Sequence, residues 1–134
     1  MQSLFKIQDK KIYLLYIILV LGLASIPWHY HMELPVWQYM LFVSVSVVWQ
    51  NVITFGIFQD ALKERVGKKW IYLLIPPIFL LGHIAFIINF LTKTAPLVVA
   101  FVPVMSLLFA YLREKTGHLH WQIFLHLMFY ILTA

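Results

Sequence analysis

Polar side chains are scarce within the apolar runs of this chain, and a few have the types and spacing to do chemistry. Gln50, Asn51, Gln59 and Asp60 fall in one run and at its end. His83 stands in the next, between Gly82 and Ile84, and His126 in the last, between Leu125 and Leu127. A polar group inside lipid is costly and needs a partner or a purpose. Two imidazoles and one carboxylate can hold and deprotonate a water. Asp60 would be the general base, and a neutral histidine would donate to the oxyanion that forms. The same residues also fit a structural account, in which each histidine bonds a backbone carbonyl and joins helices. Asp60 adjoins Lys63, Glu64 and Arg65, the pattern of a solvated turn at a membrane surface. A shared site also requires matching depth. With Gly67 and Gly117 at one surface, Asp60, His126 and His83 lie roughly 10, 13 and 24 Å along their helices. Tilt, or a break at Pro76-Pro77, would have to bring them together.

The elements that carry these residues follow from composition. Of 134 residues, 63% are hydrophobic and 11% charged, against roughly 45–50% and about 25% in soluble domains. A chain this short cannot hide that excess in a core, so its outer surface faces lipid. Apolar stretches recur at Ile12–Trp28, Val36–Phe58, Trp70–Leu91, Pro96–Leu112 and Trp121–Ala134. A spanning helix needs about 20 such residues; the second and third stretches meet this easily, and the fourth and fifth are short. The runs are continuous, without the alternation of barrel strands. An all-α integral membrane fold follows, a bundle of five transmembrane helices in a single domain over residues 1–134.

Lys6, Lys10 and Lys11 precede the first stretch. Lys63, Arg65, Lys68 and Lys69 fill the second connection, and Arg113 and Lys115 the fourth. Only Lys93 lies on the opposite side, so nine of ten cations share one face. The N-terminus is thus expected in the cytoplasm and the C-terminus across the membrane. Trp28, Trp37, Trp70 and Trp121 sit at predicted segment ends, as interfacial aromatics do. Pro27-Trp28-His29 offers no small-residue cleavage site, which argues against a signal peptide.

Three segments carry a family resemblance. Tyr111-Leu-Arg-Glu-Lys-Thr116-Gly117, with His126 nine residues further on, is similar to the last motif region of the CPBP intramembrane endopeptidases, also called the ABI or CAAX-protease family. Phe79-Leu-Leu-Gly-His83 matches that family's Phe-x-x-x-His motif, and Asp60-Ala61-Leu-Lys-Glu-Arg65 stands where it has Glu-Glu-x-x-x-Arg. The motifs fall in the family's order, over about residues 45–134. The resemblance implies a CPBP-type fold and hydrolysis of peptide bonds by a carboxylate-activated water. Asp60 would take the place of the catalytic glutamate and Arg65 that of the motif arginine. His83 and His126 would bind water or stabilise the oxyanion, and Phe79 would line the site. This sequence departs from the pattern in three ways. Asp60 is one methylene shorter than glutamate, Ala61 replaces the second glutamate, and Tyr130 stands where the family has Asn or Asp. The Arg65-to-His83 interval is also short.

Two functions are consistent with these residues. One is an intramembrane protease acting on a membrane-associated peptide or protein; survival of both histidines favours it. The other is a catalytically inactive binding protein, such as a bacteriocin immunity factor or an assembly subunit; loss of the carboxylate at Ala61 favours that. A small transporter or complex subunit whose motifs arose by chance is a third. The expected partners are the lipid bilayer and a membrane protein or peptide, in a homo- or hetero-oligomer, and the expected location is a prokaryotic plasma membrane. The net charge of +5 is spread over short clusters between apolar runs, which reads as topology and not as nucleic-acid binding. Cysteine is absent, which excludes disulfides and thiolate chemistry. No phosphate-binding glycine loop or G-x-S-x-G elbow occurs. The pairs His29/His31 and His118/His120 are spaced by two and lack further ligands. No cofactor or metal is expected.

Overall fold

The structure is a computed structural model that describes residues 4–5, 10–31, 33–87 and 89–134. Lys6, one of the cations used for orientation, lies outside the described residues. The described chain is helical, with no strand. Its elements are α1 (Lys10–Ser25), a 3-10 turn (Ile26–Trp28), α2 (Val36–Asn51), a π-helical segment (Val52–Phe58) and α3 (Gln59–Val66). They continue with α4 (Lys68–Phe86), the single turn α5 (Phe90–Lys93), α6 (Pro96–Thr116) and α7 (His120–Leu132).

Four helices are long and apolar enough to cross a membrane: Lys10–Trp28, Val36–Val66, Lys68–Phe86 and Pro96–Thr116. The all-α, multi-pass membrane fold read from the sequence is therefore present. Helices suit lipid because every backbone N–H and C=O is satisfied within the segment. The fifth apolar helix, α7, has 13 residues, about 20 Å of rise against a hydrocarbon core of about 30 Å. The second helix runs the other way, to 31 residues. Asp60 to Arg65, expected as a surface turn, is helical and extends it. Pro96 opens α6, while Pro76, Pro77 and Pro103 lie inside their helices without ending them. Gly117 ends α6 at φ 75°, a left-handed conformation that glycine adopts without a Cβ penalty. Its N–H caps the Arg113 carbonyl at 2.9 Å.

The chain divides into two compact units, Met1–Asn51 with His118–Ala134 and Val52–Gly117. In the first, α7 packs on α1 and α2. Gly22 permits the approach to α1, since a Cβ there would meet Met128 Sδ at 3.2 Å and Ile131 at 3.5 Å; small residues serve this purpose in membrane helix contacts. Hydrogen bonds fix the register. Tyr16 Oη bonds His120 Nδ1 (2.7 Å), His29 Nε2 donates to the Ile131 carbonyl (2.7 Å), and Tyr39 Oη donates to the Tyr130 carbonyl (3.1 Å).

In the second unit α4 packs on α6 and on α3. Its centre is a trio of rings, Phe55, Phe79 and Phe109, with centroids 5.3–6.2 Å apart in tilted and edge-on geometry. At one end of this unit Glu114 accepts from Lys63 at 2.8 Å and pairs with Lys68 at 3.5 Å. The basic ends of α3 and α6 and the basic start of α4 therefore meet.

Candidate functional site

Asp60 occupies the first turn of α3, and its side chain is 40% exposed. Its partner is Arg113, whose Nη2 lies 3.0 Å from Oδ2 and 3.4 Å from Oδ1. Arg113 is itself buried, its side chain 5% exposed, and its Nε donates to the Phe55 carbonyl at 3.2 Å. One guanidinium thus ties α6 both to the π-helical segment and to the carboxylate just beyond it. Such segments recur at functional sites. The neighbouring residues hold the same place. Gln59, fully buried, donates to the Ala110 carbonyl at 3.0 Å and to Glu114 Oε1 at 3.4 Å. Its Oε1 has no hydrogen-bond partner among the described residues. Arg65, the motif arginine by sequence, is exposed and takes part in none of the ion pairs among the described residues. Ala61 is exposed as well.

His83 lies deeper on α4 and is buried, 4% exposed. Its Nδ1 donates to the Phe79 carbonyl one turn back (2.9 Å), and its ring meets those of Phe79 and Phe90 at 4.7 and 5.4 Å. In the neutral ring that bond puts the hydrogen on Nδ1 and makes Nε2 an acceptor. Phe79 is buried beside it. Asp60 and His83 share a unit without sharing a depth. Counted from Gly67, helix rise puts Asp60 about 10 Å along α3 and His83 more than 20 Å along α4. The prolines of α4 lie within a continuous helix.

In the other unit His126 is buried, 6% exposed, with the Tyr130 ring stacked at 5.5 Å and 26°. Asn51 approaches its Nδ1 at 3.0 Å. Tyr130 stands four residues on, where the family has Asn or Asp, and the Asn51 amide approaches the ring from α2.

Three of these participants are not assigned by sequence reasoning: Arg113, Glu114 and the bond from Asn51 to His126. In the sequence Arg113 counts as a topology cation and falls in the last motif stretch without a role of its own. Its signal is the stripe Val102, Ser106, Phe109, Ala110 and Arg113, all buried at helical spacing on one face of α6. Asn51 closes a similar stripe with Val43 and Val47 on α2.

In a multi-pass helical membrane protein, ionisable side chains buried in the apolar helices mark a candidate functional site. Comparison with protein families supplies the class. The model for type II CAAX prenyl endopeptidase Rce1-like proteins matches residues 31–132, and the chain belongs to that family. The match takes in Asp60, Arg65, Phe79, His83, His126 and Tyr130, and begins ahead of the expected residue 45. No curated protein and no solved structure matches the chain.

Proposed function

We propose that this CAAX-protease-type protein hydrolyses a peptide bond in a membrane-associated peptide or protein, with Asp60 as the group that activates water. The observation that carries this reading is the Asp60 carboxylate itself. It stands at the glutamate position of the first motif, held by a buried guanidinium, with two-fifths of its side chain open. A carboxylate has about four lone-pair sites, and Arg113 engages one side of it. In the proposed step Asp60 takes a proton from water as the water oxygen bonds the scissile carbonyl carbon. The proton then passes to the departing amine nitrogen as the C–N bond breaks. His83 and His126 are proposed to contact water or the peptide, and Phe79 to line the path. Tyr130 supports the His126 ring.

The chain is proposed to sit in a prokaryotic plasma membrane with its N-terminus cytoplasmic and its C-terminus opposite. The meeting of the basic helix ends at Glu114 supports a common side for those connections. The peptide or protein partner would then meet Asp60 near the cytoplasmic face. The test is cleavage of candidate membrane peptides in proteoliposomes by wild type and Asp60→Asn, with helix content checked by circular dichroism. Cleavage by wild type alone is the expected result. Equal cleavage by both would remove Asp60 from the mechanism.

A second reading, a catalytically inactive binding protein such as an immunity factor or assembly subunit, is favoured by one observation. By helix rise, Asp60 and His83 differ in depth by roughly 13 Å, too far for one water to bridge. Under that reading no variant cleaves any peptide of a broad panel, and the chain co-purifies with a membrane partner in mild detergent.

A further inference from the structure

Within the unit of α1, α2 and α7 the least expected polar contact is the one between Asn51 and His126. Both side chains are buried, Asn51 completely. The Asn51 Nδ2 donates to the Val47 carbonyl at 2.8 Å and lies 3.0 Å from His126 Nδ1. The first of these contacts settles which end of the amide is which. A backbone carbonyl only accepts, so the group facing Val47 must be the NH2. Turning the amide over would set Oδ1 against the Val47 oxygen, two acceptors with no hydrogen between them. Asn51 Oδ1 has no hydrogen-bond partner among the described residues, a cost that this orientation carries, so the assignment rests on the Val47 contact.

The second contact then has one sense. With one hydrogen of Nδ2 spent on Val47, the other points to His126, and Nδ1 must accept it. A hydrogen on Nδ1 would meet a hydrogen of the amide. The neutral imidazole therefore carries its own hydrogen on Nε2. This is the reverse of His83, whose Nδ1 is the donor. The ring plane is held as well. Tyr130 stacks on it, and the Tyr130 backbone is pinned by Tyr39.

We infer that Asn51 is a positioning residue: its amide, reaching from α2, locks His126 in the Nε2–H tautomer. The consequence is a histidine that can donate to a peptide carbonyl and not one that can take a proton from water. The functional part rests on the reading of His126 as a peptide-contacting residue. The tautomer itself does not.

Imidazole 15N resonances report which ring nitrogen carries hydrogen, and can be read on the full chain in bilayers after histidine-selective labelling. A His126→Gln sample assigns the signals by their loss. Wild type is expected to show an unprotonated Nδ1 and a protonated Nε2 at His126. Asn51→Asp offers an acceptor where the amide offered a donor, so the hydrogen should move to Nδ1. Asn51→Leu, close in shape, should leave a mixture. If peptide cleavage is found, Asn51→Asp should lower kcat by about 10²-fold with KM little changed, the scale for a lost oxyanion donor. A protonated Nδ1 in wild type, which needs no variant to fold, overturns the inference. So does an unchanged His126 signal in folded Asn51→Leu and Asn51→Asp. An expected tautomer pattern in a chain that cleaves nothing upholds the positioning role and overturns only the peptidase reading.

Discussion

The Asp60–Arg113 pair makes an asymmetric prediction about stability. Its members differ in exposure: the Arg113 side chain is 5% exposed and that of Asp60 40%. Asp60→Ala removes the partner of the buried member. Arg113 keeps its Nε bond to Phe55 but is left with a guanidinium end facing no counter-charge. Breaking a fully buried pair costs about 3–5 kcal/mol, and an exposed pair is worth about 0–1. Water reaching the open side of Asp60 moves this case down from the first figure, so about 2 kcal/mol is expected. Arg113→Met removes the buried charge and keeps most of the stem's packing. Asp60 is then free to hydrate, and the chief loss is one donor to the Phe55 carbonyl, about 1 kcal/mol.

Equilibrium unfolding in mixed micelles, followed by circular dichroism, measures both changes. In the Arg113→Met background, Asp60→Ala should cost almost nothing, because the charge it strands is gone. A double-mutant cycle should therefore return a coupling of about 1–2 kcal/mol. Arg113→Met proving costlier than Asp60→Ala would refute the burial reasoning. Coupling below about 0.3 kcal/mol would show that the pair is a contact without energetic weight.

Other perturbations test single contacts. Asp60→Glu restores the family side-chain length and should keep or raise any cleavage that Asp60→Asn abolishes, measured on the same reconstituted peptide with His83→Ala as a second control. Gly22→Ala should be tolerated within about 1 kcal/mol, because the nearest obstacle is the flexible Met128 thioether. Gly22→Ile should cost about 1–3 kcal/mol through overpacking against α7; equal melting temperatures for the two variants would refute that close approach. Single cysteines at Lys11 and Thr133 should label from opposite sides of a sealed vesicle. Labelling of both from one side would overturn the orientation.

How much of the molecule is legible in the sequence depends on the range of the interaction. The helices are, because an apolar run with no alternation has one solution in lipid. The segment limits are readable to within a few residues where proline or glycine stops the chain, as at Pro96 and Gly117. They are misread where charge is equated with a turn. Asp60, Lys63 and Arg65 have the composition of a surface loop, yet the helix runs through them to Val66. In that stretch Gln59 and Lys63 are engaged by α6, at Ala110 and Glu114. Residue type finds the candidate site residues and does not find their partners. Asp60 has a basic neighbour in sequence at Arg65 and a different one in space at Arg113, 53 positions away. No local spacing rule can find a contact of that range. A periodic reading of α6 puts Arg113 on the inward face and stops short of naming Asp60. His126 and Asn51, 75 positions apart, are the same case.

What surrounds Asp60 narrows the question its chemistry poses. Gln59 on one side is fixed to α6, Lys63 one turn on is fixed to Glu114, and Asp60 itself is fixed to Arg113. Three successive ties from α3 to α6 leave the carboxylate little freedom to swing. Position is therefore not what a hydrolytic site on this unit lacks. Reach is the open variable, since aspartate is one methylene shorter than the family's glutamate and errors near 1 Å can cost about 10²-fold in rate. Ala61 adds nothing to compensate, being exposed and without a carboxylate. Of the other two acidic groups at this unit's polar end, Glu64 is exposed, and the Glu114 carboxylate is already taken by Lys63 and Lys68. The catalytic reading thus falls on one short side chain held in one place. For that reason lengthening it by a single methylene is a more searching perturbation than removing it. Removal abolishes activity under any mechanism that uses Asp60, whereas lengthening raises activity only if reach is what limits it.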